Sequence, residues 1–160
     1  MKTAIVYFSY TGHTRQIAKQ IQENLHCDLF ELKRKEPYSE DYEEVVADEQ
    51  NQEGSQKIPE IEPIPIDIDA YDRIILGTPT WWYRPCPVVR AFLKQYDLSS
   101  KTIVPFATNA GWLGRALKEI KELCPNSTIE KEMNLVFTED YKENKLVTKK
   151  EDLQNWINSL

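Results

Sequence analysis

The sequence predicts an α/β protein with an open, doubly wound, five-stranded parallel sheet that has helices on both faces. Apolar runs without alternation, such as Ala4–Phe8 and Ile74–Leu76, are typical of strands that are buried on both sides. The stretches between such runs carry apolar residues at helical spacing. Strands that alternate with helices are joined by right-handed crossovers and therefore lie parallel. The length of 160 residues suits one domain, which we place at 1–160.

The first strand and the first helix are the clearest elements. After Ala4–Phe8, a helical face is formed by the apolar residues Ile17, Ala18, Ile21 and Leu25. Partial alternation over Asp28–Leu32 then predicts a short second strand. In residues 37–69, Tyr42–Val46 is compatible with a short helix, and the prolines at 59, 63 and 65 favour extended chain. A loop of this length in a small domain is often functional or mobile.

The third and fourth strands are predicted at Arg73–Gly77 and Thr102–Ala107. Pro87 suits the first position of the helix between them, because its missing N–H has no intrahelical acceptor there. Pro105 cannot donate a ladder hydrogen bond, so the fourth strand should have a bulge or an unpaired N–H position at this residue.

The last part of the chain predicts a helix that ends before Pro125, a fifth strand at Ile129–Phe137 and a final helix. Thr148 and Glu151 have the spacing of a capping box at the start of that final helix. Its inner face is predicted from the apolar residues Leu153, Trp156, Ile157 and Leu160.

Composition excludes several classes of protein. No apolar run approaches the roughly 20 residues that a membrane-spanning helix needs, and the N-terminus has no signal-peptide layout. Cys27, Cys86 and Cys124 form neither a metal pattern nor a disulfide framework. We therefore expect a cytoplasmic protein that does not associate with membranes, with no bound metal.

The formal charge of −6 is concentrated in one segment. Residues 36–72 contain thirteen acidic residues and only Lys57 as a base, so this segment alone carries −12. Such a balance argues against nucleic-acid binding. The segment could dock a basic redox partner, or it could simply be a solvated loop that aids solubility.

The loop after the first strand has the features of an anion site. Ser9, Thr11 and Thr14 place three hydroxyls around Gly12, where a strand ends and a helix begins. Free N–H groups and the positive end of the helix dipole meet at such a turn. The loop lacks the lysine of a Walker motif and the three glycines of a dinucleotide fingerprint, so it suits a single phosphate. The alternative is a turn whose hydroxyls only cap the helix.

The spacing Ser9-x-Thr11-Gly12-x-Thr14 resembles the phosphate loop of the flavodoxin family, which holds the phosphate of FMN. The resemblance implies a flavodoxin-like sheet with strand order 2-1-3-4-5 and a site beyond the carboxyl ends of the strands. Residues 78–85 and 108–114 match the loops that hold the flavin ring in that family. The resemblance covers nearly the whole chain.

The second and third loops carry side chains suited to a flavin. Trp81, Trp82 and Tyr83 offer stacking area, although a small core or a protein interface would also use them. Asn109 could provide amide contacts to the ring edge, with glycines allowing close approach, whereas a plain turn is the alternative. The complete set of predicted cofactor-binding residues is Ser9, Tyr10, Thr11, Gly12, His13, Thr14, Pro79, Thr80, Trp81, Trp82, Tyr83, Thr108, Asn109, Ala110, Gly111 and Gly114.

One departure from the family pattern concerns the second loop, where the glycine common beside the ring is absent and Trp82 and Tyr83 stand instead. A bend there must be strained, arranged differently or not used, because a bulky residue at positive φ costs roughly 1–2 kcal/mol. The sequence does not decide whether Trp81 or Trp82 stacks on the ring. It also leaves open whether His13 donates to the phosphate or lies exposed.

Other chemistries lack the necessary residues. His13 and His26 are the only histidines available to a hydrolase triad, and Cys86 lies too close to Arg90 for a small tyrosine phosphatase loop. A phosphoacceptor domain needs acids where Ser9 and Thr78 stand. The resemblance to the flavodoxin family instead implies an FMN-binding electron carrier with no catalytic side chain of its own. We expect it to be a monomer or weak dimer that serves redox partner proteins. The alternatives are an FMN-dependent NAD(P)H:quinone or flavin oxidoreductase, and a flavin-binding module without turnover.

Overall fold

The computed structural model describes residues 1–53, 58–139 and 145–160. The strands are β1 (Thr3–Tyr7), β2 (Asp28–Glu31), β3 (Arg73–Trp81), β4 (Arg84–Pro85), β5 (Thr102–Asn109), β6 (Thr128–Ile129) and β7 (Met133–Val136). The α-helices are α1 (His13–Leu25), α2 (Tyr42–Glu53), α3 (Pro87–Gln95), α4 (Ala116–Leu123) and α5 (Lys150–Ser159), with a 3₁₀ turn at Ile68–Ala70.

The sheet has the order β2-β1-β3-β5, with β6 and β7 both paired to the outer side of β5, and all of these pairs are parallel. The predicted doubly wound fold and its order of five strands are therefore confirmed. Two details differ from the prediction. The fifth strand is broken into β6 and β7, and β3 continues to Trp81, where the chain turns back as the antiparallel strand β4.

Pro105 explains the break in the fifth strand. The N–H of Glu130 donates to the carbonyl of Ile103 at 3.1 Å, and pairing with β5 resumes only at Phe106 and Met133. In a parallel strand, alternate residues face the same neighbour, so Pro105 faces the outer strand as Ile103 does. Because proline has no N–H to offer, the outer strand leaves the ladder here, through Lys131 at a φ of 52°. The predicted irregularity at Pro105 is confirmed.

Two apolar layers cover the sheet. On one face, α1 and α5 pack through Ile17, Ile21 and Trp156 against a cluster that includes Phe106. On the other face, Phe92 of α3 and Ile120 of α4 belong to a cluster that also contains residues of β1 and β3. Within the residues that the structure describes, no helix combines the length and apolar character needed to cross a membrane.

Two local predictions have different outcomes. The helix predicted at Tyr42–Val46 is present and continues to Glu53 as α2. The capping box predicted for α5 is wrong, because the hydroxyl of Thr148 accepts the N–H of Val136 at 2.8 Å and α5 begins only after Lys149. The tertiary contact with β7 satisfies a strand N–H, and it takes the hydroxyl away from the helix start.

Candidate functional site

The first loop is shaped by Gly12 and Ser9. Gly12 precedes α1 at a φ of 102°, a left-handed conformation that favours glycine. The Oγ atom of Ser9 accepts the N–H groups of Gly12 and Arg15, both at 3.2 Å. Within the described chain, the N–H groups of His13 and Thr14 in the first turn donate no hydrogen bond, as expected at a helix start. These two donors and the helix dipole could hold an anion.

The three hydroxyls predicted around this loop do not have equivalent places. Thr11 is exposed. Ser9 acts only as an acceptor in its two contacts with described residues, so its hydroxyl hydrogen is available to a ligand. Thr14 is buried, and its hydroxyl pairs with the hydroxyl of Thr108 at 2.8 Å. Thr14 therefore connects the first loop to the end of β5.

His13 lies against the end of the fifth strand. Its ring stacks on Phe137, with centroids 4.1 Å apart and planes inclined by 4°. The Nε2 atom is buried, and no described residue forms a hydrogen bond with it. Burial lowers the pKa of His13 from its ordinary value of 6.5. The sequence left open whether His13 donates to a phosphate or lies exposed. The structure answers part of this question, since the ring is packed rather than fully exposed.

The lowered pKa of His13 predicts a pH dependence of stability in the flavin-free protein. Below the unfolded-state pKa of His13, near 6.5, the unfolded chain binds a proton that the folded chain does not. The free energy of unfolding therefore decreases as the pH is lowered from this value to the folded-state pKa, and it is constant at still lower pH. Denaturant titrations at several values between about pH 7.5 and 5.5 should show that the free energy of unfolding changes less with pH for His13→Asn than for the wild type. A histidine NMR titration that gives His13 a pKa at or above its ordinary value would contradict this prediction.

The second loop is a tight hairpin at the end of β3. Trp81 pairs with Arg84, and the two residues between them, Trp82 and Tyr83, have φ values of 49° and 62°. Two-residue hairpins with positive φ at both positions normally contain Asn and Gly, because bulky side chains are strained there. Of the alternatives that the sequence left open for this bend, the structure therefore has the strained one, with bulky residues at positive φ.

Contacts with α4 hold this hairpin in place. The guanidinium of Arg84 forms a bidentate pair with Glu119, with Nε 2.9 Å from Oε2, and this pairing lowers the pKa of the Glu119 carboxyl. The carbonyl of Tyr83 accepts the N–H of Arg115 at 2.8 Å. Gly114, at a φ of 53°, lies so close to Tyr83 that a Cβ on Gly114 would be 2.2 Å from the Cβ of Tyr83. The second and third loops are therefore in direct contact.

The third loop is organised by the buried side chain of Asn109. Its Oδ1 accepts the N–H of Gly111 at 2.9 Å, and its Nδ2 donates to Oδ1 of Asn134 at 2.7 Å. The amide of Asn109 thus stabilises the turn, and its predicted contact with a flavin ring stays a prediction. Gly111, at a φ of 106°, faces open space, since a Cβ there would have no neighbour within 4 Å.

An apolar cleft of about 370 Å³ lies between the hairpin and α2. It is lined by Tyr42, Val45, Val46, Thr80, Trp81, Trp82, Tyr83 and Trp112. Trp81 also packs against three other rings, those of Phe8, Tyr10 and Tyr38, whereas Tyr83 and Trp112 are exposed at the cleft. The hydroxyl oxygen of Thr80 is buried, and none of the described residues forms a hydrogen bond with it.

Sequence reasoning missed the part of this cleft that α2 contributes. Tyr42, Val45 and Val46 have the i, i+3, i+4 spacing of one helical face, which could have indicated a buried side for α2. Trp112 lies in the predicted third loop but was not singled out. It is an exposed tryptophan between two glycines, and large exposed aromatic residues often mark a binding site.

The donor set fits a ligand with a phosphate at one end and a flat ring system at the other. N–H groups and the hydroxyl of Ser9 lie in the first loop. The cleft has aromatic walls and the hydroxyl of Thr80, which has no partner among the residues that the structure describes. Tyr10 joins the two parts, because it follows Ser9 and packs against Trp81. Both parts lie at the carboxyl edge of the sheet, where open α/β sheets bind ligands.

Comparison with known proteins supports this interpretation. A family model described as Flavodoxin matches residues 2–160. A flavoprotein from Lactobacillus acidophilus NCFM, solved in complex with FMN, is 25% identical with a TM-score of 0.72, and the match covers 83% of this chain and 91% of that one. The oxidised Flavodoxin 1 from Bacillus cereus shares the fold at 15% identity and a TM-score of 0.60, over 99% of this chain and 94% of that one. The resemblance noted in the sequence is confirmed.

A third solved structure shares the fold over almost the same length. It comes from Bacteroides uniformis ATCC 8492 and is described provisionally as a flavoprotein. It is 24% identical with a TM-score of 0.80, and the match covers 98% of this chain and 97% of that one.

Proposed function

This chain belongs to the flavodoxin family, and from that premise we propose that it binds FMN and transfers electrons through it. One observation carries the proposal: an anion site at the start of α1 and an aromatic cleft share the carboxyl edge of one sheet. FMN has the matching parts, a phosphate and a flat ring system. Bound FMN supplies the redox chemistry, and the protein positions it and tunes its environment.

The first loop is proposed to hold the phosphate. The N–H groups of His13 and Thr14 and the hydroxyls of Ser9 and Thr11 are the donors, and Gly12 gives the loop its left-handed bend. Charge-assisted hydrogen bonds of this kind contribute about 1.5–3 kcal/mol each. No lysine or arginine is needed, because the helix start already favours negative charge.

The cleft is proposed to hold the ring. Trp81 shares its ring with the cluster of Phe8, Tyr10 and Tyr38, so Trp82 is the residue that we propose for stacking on the flavin. The hydroxyl of Thr80 would satisfy a polar atom on the rim of the ring, since it has no partner among the described residues. Tyr42, Val45 and Val46 of α2 would exclude water from the other side of the cleft.

A basic redox protein is the partner that we propose. Glu36, Glu40 and Asp41 are exposed members of the acidic segment, and α2 from the same segment borders the cleft. Opposite charge would steer such a partner toward the flavin and would act over a Debye length of about 8 Å at physiological ionic strength. We further propose that the protein works in the cytoplasm as a monomer or weak dimer.

A substitution in the first loop tests the proposed phosphate site. Ser9→Ala removes the acceptor that holds two N–H groups in place and the hydroxyl that faces the ligand. We expect FMN to bind about 10–100-fold more weakly, because about 1.5–3 kcal/mol is lost, and riboflavin to bind almost as before. Fluorescence titrations of both ligands provide the measurement.

Ser99→Ala is the matched control, since Ser99 is exposed before β5, at the opposite edge of the sheet. It should leave both affinities unchanged. If Ser9→Ala weakened FMN and riboflavin by the same factor, the first loop would not be a phosphate site.

A further inference from the structure

The cleft for the ring is one end of a longer groove. A second cavity of about 270 Å³ shares Tyr42 with the cleft and extends along Tyr10, Thr11 and Tyr38. A third cavity of about 300 Å³ shares Tyr10 and Tyr38 with the second and reaches the carboxyl end of β2. The three cavities therefore adjoin one another past the phosphate loop, from the proposed flavin cleft to the carboxyl end of β2, and we call this row of cavities the groove.

The far end of this groove is basic. Lys33, Arg34 and Lys35 are consecutive in the sequence and all line the third cavity, which we call the basic pocket. The next residue begins the acidic segment, which has thirteen acids in residues 36–72. Three cations at one end of a groove in a chain of net charge −6 give that end a local charge opposite to that of the protein.

Local contacts leave these cations able to bind an anion. The guanidinium of Arg34 is held over the ring of Tyr38, 4.5 Å from its centroid, so it is ordered in advance. The pair between Lys35 and Glu60, at 3.3 Å, is exposed on both sides and therefore weak, so a phosphate can replace the carboxylate. Lys33 forms no ion pair with any other described residue.

Two carboxylates also line the basic pocket, and they do not neutralise it. Glu31 is already paired with Arg15 of α1. Glu62 is the second, so the three cations exceed the one carboxylate that has no cationic partner among the described residues. The other walls are aromatic, from Phe8, Tyr10 and Tyr38. Cations beside aromatic walls match a phosphate that is attached to a purine nucleoside.

We propose that the basic pocket binds the phosphate of an adenine nucleotide whose other end reaches the flavin site. This inference rests on the proposed function, because the groove begins at the proposed flavin cleft. Two molecules present this chemistry. One is FAD, whose adenylate half extends from the flavin phosphate, and the other is NADPH, whose adenosine carries a 2′-phosphate.

The first experiment uses adenosine 2′,5′-bisphosphate as the probe, titrated into the FMN-loaded protein by calorimetry. The variant Lys33→Ala/Lys35→Ala should bind the probe at least about tenfold more weakly, and Lys33→Arg/Lys35→Arg should retain binding. Lys19→Ala/Lys118→Ala is the matched control, because it removes two exposed lysines from α1 and α4 and should bind like the wild type. No saturable binding to the wild type, or equal losses in the variant and the control, would overturn the proposal.

The second experiment identifies the source of the phosphate. The affinity ratio of FAD to FMN is measured on the flavin-free protein, and the ratio of NADPH to NADH on the FMN-loaded protein. A fall of the first ratio alone in Lys33→Ala/Lys35→Ala assigns the pocket to FAD, and a fall of the second alone assigns it to NADPH. A fall of both assigns it to both nucleotides, and if neither falls, the proposal is wrong.

These measurements separate the two proposals. Failure of FMN to bind the flavin-free wild type would contradict the proposed function. The probe would then be titrated into the flavin-free protein, where its dependence on Lys33 and Lys35 tests the basic pocket by itself.

Discussion

Gly114→Ala is expected to lower the free energy of unfolding by about 2–4 kcal/mol and to weaken FMN binding. The new Cβ would lie 2.2 Å from the Cβ of Tyr83 and 2.7 Å from its Cα, so backbone must move. Such overpacking costs about 1–3 kcal/mol, and alanine at the φ of Gly114 adds about 1 kcal/mol. The displaced element is the Trp82–Tyr83 hairpin, which lines the proposed ring site. Denaturant unfolding and FMN titration measure the two effects.

Gly111→Ala provides the matched control in the same loop. Gly111 also has a positive φ, 106°, but a Cβ there would meet nothing within 4 Å. We expect only the conformational cost of about 1–2 kcal/mol. A loss of stability for Gly114→Ala no larger than that for Gly111→Ala would show that the hairpin adapts easily, and the contact between the loops would then have little importance.

Phe106→Ala is expected to have the largest effect on stability, about 3–5 kcal/mol. Phe106 is fully buried at the centre of β5, opposite Gly77 of β3 and 5.8 Å from the ring of Trp156 in α5. Removing the ring leaves a cavity over Gly77, between the sheet and the helices α1 and α5. Phe106→Leu keeps most of the volume and should cost less than about 1.5 kcal/mol.

A double-mutant cycle with Gly77 gives this prediction a sharper test. A Cβ at position 77 would lie 2.3 Å from the end of the Phe106 ring, so Gly77→Ala alone should cost about 1–3 kcal/mol. In Gly77→Ala/Phe106→Ala the added methyl occupies space that the ring has vacated. The double variant should therefore be more stable than the sum of the single losses predicts, by about 0.5–3 kcal/mol. Additive losses would contradict the close contact.

The strands, their order and the first loop could be predicted because each depends on local chemistry. Apolar runs such as Ala4–Phe8 are buried on both faces, and that requirement is visible without any partner being known. An irregularity at Pro105 could be predicted because a missing N–H is a property of the residue itself, although the resulting break in the neighbouring strand was not foreseen. Gly12 and Ser9 take their predicted positions for a similar reason, since the chain must bend between β1 and α1.

The capping box at Thr148 shows where local reasoning was wrong. The spacing of Thr148 and Glu151 matches a helix start, but the hydroxyl forms a hydrogen bond with Val136 on β7 instead. Thr14 also has a long-range contact, because its hydroxyl pairs with Thr108, which is 94 residues away in the sequence. The partner of a single hydroxyl depends on which donors and acceptors the folded chain places near it, and the local sequence does not contain that information.

The doubly wound sheet, the edge proposed for a ligand and the loop proposed for a phosphate could all be predicted from the sequence, since strand burial, helix starts and glycine conformations are set within a few residues. Only the tertiary structure decided the shape of the site. It forced Trp82 and Tyr83 into positive φ through contacts with α4, placed α2 against the cleft and brought Lys33–Lys35 to the end of the same groove. These features depend on packing between distant segments, and such packing offsets strain that a local segment would relieve by unfolding.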